Sequence, residues 1–277
     1  MSREAERVQN QTGRNRSEYG RRDRAPTPEQ VLEAAKGLVT TASLACEVTQ
    51  ANLVGMNDDK QAVYEAACAT GPGYILIAST PPQTFDCIEL KGQAEQAKAR
   101  DPNADVGQQC VIPQNLDTLA VLRGYVTQAG VACAVDEGTV LGKSSAGNVV
   151  YEVGCGSAPG YWLERQGTGW LTTDCLQVVS TGSTCRFTTN EEQAAAFQSK
   201  LADTAASDCQ VTQVRAIGQN PNGSFYEAKC AAEGQGYIAR VKDGVTAQVY
   251  ACSIAQGIGG GCTLTAVPAA APATAEQ

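Results

Sequence analysis

The 277-residue chain carries 29 acidic and 21 basic residues, a net charge of −8, and no histidine. Without histidine it lacks the commonest general base, the Ser-His and Cys-His nucleophile pairs and the ligands of most catalytic zinc sites. Its acidic balance argues against a nucleic-acid groove. Twelve cysteines accompany only 9 Tyr, 4 Phe, 2 Trp and 2 Met; small modules rich in Ala, Val and Gly bury little area and need covalent staples. An even cysteine count reads as a disulfide framework, hence an oxidising compartment.

Residues 1–26 hold seven Arg against four acids, a net of +3, which leaves −11 for the remainder. The stretch "GRNRSEYGRRDR" is polar and without periodicity, so it reads as a disordered arm that solubilises the chain or attaches it to an anionic envelope polymer or to the acidic body. The opening "MSREAERVQN" has no apolar core of a signal peptide. Export therefore implies a removed signal or a start codon placed too far downstream. No run has the length of a transmembrane helix.

From residue 27 the chain states one pattern three times. "VYEAACATGPGY" at 63–74 returns as "VYEVGCGSAPGY" at 150–161 and "FYEAKCAAEGQGY" at 225–237. Each copy is preceded by a Cys-x-Val followed by a Gly: Cys46, Val48 and Gly55; Cys133, Val135 and Gly142; Cys209, Val211 and Gly218. A third and a fourth cysteine close each unit, giving the sets Cys46, Cys68, Cys87, Cys110; Cys133, Cys155, Cys175, Cys185; and Cys209, Cys230, Cys252, Cys262. The last interval is 23 residues in the first set and 10 in the others, an insertion of 13 residues near 93–106. Internal repetition outranks any single motif. It predicts a first repeat over 27–112, a second over 113–187, a third over 188–266 and a disordered Pro/Ala tail over 267–277.

Each unit opens on a helix. "TPEQVLEAAKGLV" offers Thr27 as N-cap, Pro28 at the first position and Gln30 for a capping box, with Val31, Leu32, Ala35, Leu38 and Val39 as the apolar stripe. "NLDTLAVLRGYVTQAG" is striped through Leu119, Leu122, Val126 and Ala129 and stops near Gly130. In the third unit Thr188 or Thr189 caps, with Glu191 or Glu192 answering, ahead of Ala194, Phe197, Leu201 and Ala205. Period-2 runs follow, separated by polar turns. Asn222-Gly223 predicts a type I′ hairpin. Lys229 needs water, so Phe225, Glu227 and Lys229 are expected on the outer face, with Tyr226, Ala228 and Cys230 packed on the helix. The same parity sends Tyr237, Ala239 and Val241 inward and Ile238, Arg240 and Lys242 outward.

The expected fold is α+β: three tandem repeats, each one helix on a four-stranded antiparallel meander with two disulfides. The start of the first strand lies beside the end of the second, which pairs Cys46 with Cys68, Cys133 with Cys155 and Cys209 with Cys230. Cys87–Cys110, Cys175–Cys185 and Cys252–Cys262 remain. The closest spacing of 10 residues is unlike the C-x2–4-C pairs of structural zinc sites, and no C-x-x-C is present, so neither a metal nor a cofactor is expected. The recurring Tyr64-Glu65, Tyr151-Glu152 and Tyr226-Glu227 point to shared structure, because a catalytic site needs one asymmetric constellation. "GIGGG" at 257–261 lacks the Lys-Ser/Thr of a phosphate loop and reads as a turn. "DPNADVG" lacks the closing acid of a calcium loop. Sequons stand at Asn10, Asn15 and Asn222. Trp162, outward by parity beside Glu164, is the candidate binding residue, or else a packing contact between units.

A helix followed by an antiparallel meander whose strand reads "VYEV", as at 150–153, resembles the PepSY module and the tandem helix-plus-sheet units of beta-lactamase inhibitory proteins. The whole chain is similar to exported proteins of Gram-negative bacteria. The resemblance implies a periplasmic or extracellular, non-catalytic module that binds, and in the inhibitor case blocks, another protein. The expected function is thus an exported binding or scaffold protein whose partner is a protein or an envelope polymer. A structural surface or matrix component is the alternative, and an enzyme comes last.

Overall fold

In a computed structural model of the chain, residues 25–266 are described; the arm up to residue 24, with Asn10 and Asn15, and the tail from 267 lie outside them. The described residues form a mixed α+β structure of three four-stranded antiparallel sheets, six helices and six disulfides. In each sheet the strands hydrogen-bond in chain order. The described residues divide into two compact units, 25–69 with 73–85, and 70–72 with 86–266.

In the first unit, α1 (Pro28–Thr41) starts at the expected capping box of Thr27 and Gln30. Its Ala35 and Val39 pack with Val48, Ala66 and Leu76 of the sheet that follows. The strands are β1 (Val48–Met56), β2 (Ala62–Cys68), β3 (Tyr74–Ile77) and β4 (Gln83–Asp86). Cys46–Cys68 ties the approach to β1 to the end of β2.

The second unit begins with α2 (Cys87–Arg100), followed by the short α3 (Pro113–Leu116) and α4 (Thr118–Gln128). Its middle sheet is β5 (Gly138–Lys143), β6 (Val149–Val153), β7 (Tyr161–Gln166) and β8 (Gly169–Asp174). After α5 (Cys175–Ser180) and α6 (Asn190–Leu201) come β9 (Val211–Asn220), β10 (Gly223–Cys230), β11 (Gly236–Lys242) and β12 (Val245–Ala251). Thr189 and Glu192 form the second capping box.

The reading of one helix per sheet is corrected here. Behind each of the first two sheets Asp-Cys starts a further helix: Asp86 accepts from the N–H groups of Ile88 and Glu89, and Asp174 from that of Gln177. Ile88 then enters one core with Val121, Leu122, Tyr125, Tyr151 and Leu163, while Leu176 enters another with Phe197, Tyr226 and Ala239. The middle and last sheets are thus each packed by two helices. The insertion near 93–106 lengthens the first of these linking helices to 14 residues, against 6 for its counterpart. After β12 the corresponding residues are Ala251, Cys252 and Ser253, with neither a capping carboxylate nor an apolar anchor, and the chain forms turns instead.

The recurrent glycines acquire a reason. Register shifts follow Leu53, Val140 and Ala216, leaving Val54, Leu141 and Ile217 as extra residues in the edge strands. Gly55, Gly142 and Gly218 stand next to them at φ of 153°, 122° and 154°, backbone that a β-bulge uses and an L side chain resists. The hairpin before β10 is also corrected: Gly223 pairs with Asn220, so the turn is centred on Pro221-Asn222 and neither residue has positive φ. Proline, fixed near −65°, excludes a type I′ centre.

Candidate functional site

The inner faces follow the expected parity. Tyr226 and Ala228 pack on α6 beside Phe197, and Ala239 and Val241 join them. The outer faces do not. Glu227 and Ile238, which parity had sent to solvent, are fully buried, and so are Glu65 and Glu152. In the middle and last sheets the reason is the segment beyond the fourth cysteine, which folds back over the outer face. Glu227 accepts hydrogen bonds from the backbone N–H groups of Thr263, Leu264 and Thr265 at 2.7–3.0 Å. Glu152 accepts from those of Arg186 and Phe187. A carboxylate can satisfy several N–H donors at once, which an apolar side chain at this position could not.

Each of these two carboxylates also abuts the disulfide that starts its covering segment. The ligand atoms of Glu152, Cys175 and Cys185 lie within 4.8 Å of one another, as do those of Glu227, Cys252 and Cys262. The residue types would suit a soft divalent metal, but the sulfurs are bonded as Cys175–Cys185 and Cys252–Cys262, and a disulfide offers no thiolate. The remaining disulfides of the second unit are Cys87–Cys110, Cys133–Cys155 and Cys209–Cys230, with Cα separations of 5.0–5.7 Å. No cysteine is free.

Around the buried glutamates the sheets diverge. On β10 Glu227 lies between Arg215 and Ile238; on β6 Glu152 lies between Thr139 and Trp162; on β2 Glu65 lies between Asn52 and Ile75. Arg215 donates to Glu227 Oε2 through Nε at 3.0 Å and Nη2 at 2.7 Å, and Nη2 also reaches the Gly261 carbonyl at 3.2 Å. Burial raises the Glu227 pKa, but the Thr263 N–H, Arg215 and the N–H groups of Leu264 and Thr265 outweigh it and hold the carboxyl below its usual range. Glu152 has no such arginine. Its Oε2 is buried and has no hydrogen-bond partner among the described residues, and neither has the indole Nε1 of Trp162.

Trp162 is partly exposed on the outer face of the middle sheet, as parity predicted, and borders an open groove of about 290 Å³ with Leu141, Val150, Glu164, Leu171 and Thr173. Ser144 and Asn148 hydrogen-bond Glu164 at 2.9 and 2.7 Å and keep its carboxyl ionised below the ordinary range. Leu171 is 47% exposed, an apolar lip on this groove. A second cleft of about 610 Å³ runs between Tyr161, Asp174, Leu176, Ala196, Lys200 and Val245. Burial, then Asp174, raise the Tyr161 pKa.

An acid pair of the kind catalysis uses does exist at Asp86 and Glu89, where burial and then Glu89 push Asp86 up to about 7. Asp86 nevertheless spends one carboxylate oxygen on the first turn of α2. "GIGGG" forms turns inside Cys252–Cys262, and Gly261 supplies the carbonyl held by Arg215. In "DPNADVG", Asp101 and Asp105 accept the N–H groups of Asn103 and Gly107. Asn222 lies exposed in the β9–β10 turn. No family model, curated protein or solved structure matches the chain.

Proposed function

We propose that this is a non-catalytic protein-binding scaffold of the cell envelope, periplasmic or extracellular, built from three copies of one helix-and-meander module. Six disulfides fit an oxidising compartment, and among the described residues no helix is long and apolar enough to cross a membrane. The recurring tyrosines, glycines and cysteines are spent on packing, bulges and stapling, and the recurring glutamates of the middle and last sheets hold the segments that cover them, with one oxygen of Glu152 left unbonded. Function then belongs to positions where the copies differ. The observation that carries the reading is the Trp162 groove: an aromatic side chain stands open beside an apolar lip and a fixed carboxylate, where the other sheets place isoleucine. Tryptophan is a frequent anchor of protein interfaces. The likeness to PepSY and beta-lactamase inhibitory modules supports the same class of function, inhibition included.

Immobilised wild-type protein and Trp162→Ala should be exposed in parallel to an envelope extract. A discrete one-to-one complex, lost in the variant, is the expected result. Concentration-dependent self-assembly without a partner would instead make the protein a surface or matrix component.

A further inference from the structure

We propose that the outer face of the middle sheet takes up an arginine side chain of a partner protein, its guanidinium pairing with Glu152 beside Trp162. This rests on the protein-binding reading and names the chemistry of the anchor. The last sheet is the internal control. At the same register it buries the same glutamate under a folded-back segment, and supplies Arg215 from the neighbouring strand. In the middle sheet Thr139 occupies the position of Arg215. Glu152 then has one oxygen on the Arg186 and Phe187 N–H groups and the other on nothing.

A fully buried carboxylate with an unbonded oxygen is costly, and neutral donors do not remove the cost of its charge. No Lys or Arg side chain among the described residues forms an ion pair with Glu152, whereas Arg215 does so with Glu227. Arg186 contributes its backbone N–H while its side chain stays exposed. The missing cation therefore comes from outside the described chain. A guanidinium fits better than an ammonium: Arg215 uses two nitrogens on one carboxylate and still reaches a carbonyl. The indole of Trp162, cross-strand from Glu152, adds a face on which a planar cation stacks. Glu152 is fully covered, so binding moves the partly exposed Trp162, and its indole N–H reports the event.

The test is a titration of the 15N-labelled full chain with N-acetyl-L-arginine methylamide, followed at the two indole N–H signals. The Trp162 signal should shift saturably, with a dissociation constant on the order of millimolar. N-acetyl-L-citrulline methylamide, the neutral isostere, should leave it unmoved. Thr139→Arg should abolish the response and raise the melting temperature by about 3 °C, as an internal copy of Arg215 fills the site. Glu152→Gln should abolish the response as well. An equal response to citrulline, no saturable shift, or a response that survives Thr139→Arg would overturn the proposal. Envelope capture separates it from the broader reading: a partner lost with Trp162→Ala but retained by Thr139→Arg sinks the arginine and leaves the binding scaffold standing.

Discussion

Asp86 and Glu227 show how one residue type is set to opposite ends of its range. Asp86 is pushed up to about 7 by burial and then by Glu89, against the pull of the Ile88 and Glu89 N–H groups and Arg165. An acid whose folded pKa exceeds its unfolded value opposes folding once it ionises. Its contribution is most favourable below about pH 4, falls through about pH 7 and is flat above. Asp86→Asn keeps an oxygen for the helix N–H groups and removes the charge. Relative to wild type it should gain stability from pH 4 to pH 8, by at most about 4 kcal/mol, in urea unfolding curves. Glu227 has the other sign. Its lowered pKa stabilises the fold above the unfolded value near 4.3, and that support is lost as pH falls through the folded one. Arg215→Ala leaves three backbone N–H groups on the carboxylate, and Arg215 is itself one-third exposed. The expected loss is therefore about 2 kcal/mol, below the value for a fully buried pair, and denaturant unfolding at pH 7 measures it.

Helices and strands were legible in the sequence to unequal depth. The capping boxes at Thr27 and Thr189 and the inward face of Tyr226 and Ala228 follow from local spacing, and hairpin geometry leads to the disulfide pairs. The linking helices were missed because Asp-Cys-Ile and Asp-Cys-Leu look like strand ends next to a staple; the signal was the N-cap aspartate before an apolar residue. The burial of Glu152 and Glu227 was not readable from parity. It depends on a segment 34 to 38 residues further along, and alternation describes only the strand, not what later lies over it. Trp162 was found by parity, whereas Thr139 was missed, since its meaning appears only when register sets it against Arg215. Two glycines in helices make the packing testable. A Cβ on Gly92 in α2 would lie 2.6 Å from Val140 Cβ, while one on Gly124 in α4 meets nothing within 4 Å. Gly92→Ala should cost about 1–3 kcal/mol and Gly124→Ala should add about 0.5–1 kcal/mol, read from the shift of the thermal midpoint.

At the scale of the whole molecule, every disulfide closes within 10 to 23 residues of sequence. Alkylation under denaturing, non-reducing conditions should label no cysteine, and mapping of the digest should recover six local pairs. A bond such as Cys46–Cys87 would break the strand order of the first sheet. Each bond removes unfolded-chain entropy worth roughly 3 kcal/mol in the loop-closure picture. That is a large share of what an alanine- and valine-rich core of this size supplies.

The turns after β12 lack a pattern that the chain carries behind β4 and β8. Leu176 carries a hydrophobic plug from the end of the middle sheet into the core of the last, seated by the Asp174 cap, and Ile88 enters the middle core behind the Asp86 cap. At the last sheet both parts of that pattern are gone, replaced by Ala251 and Ser253, and the next residue, Ile254, is 77% exposed. Elongation by gene duplication therefore needs more than another module spliced on behind. A further copy is expected to dock only if Ala251 became aspartate and Ser253 a leucine or isoleucine, two codon changes that would restore the cap and the plug.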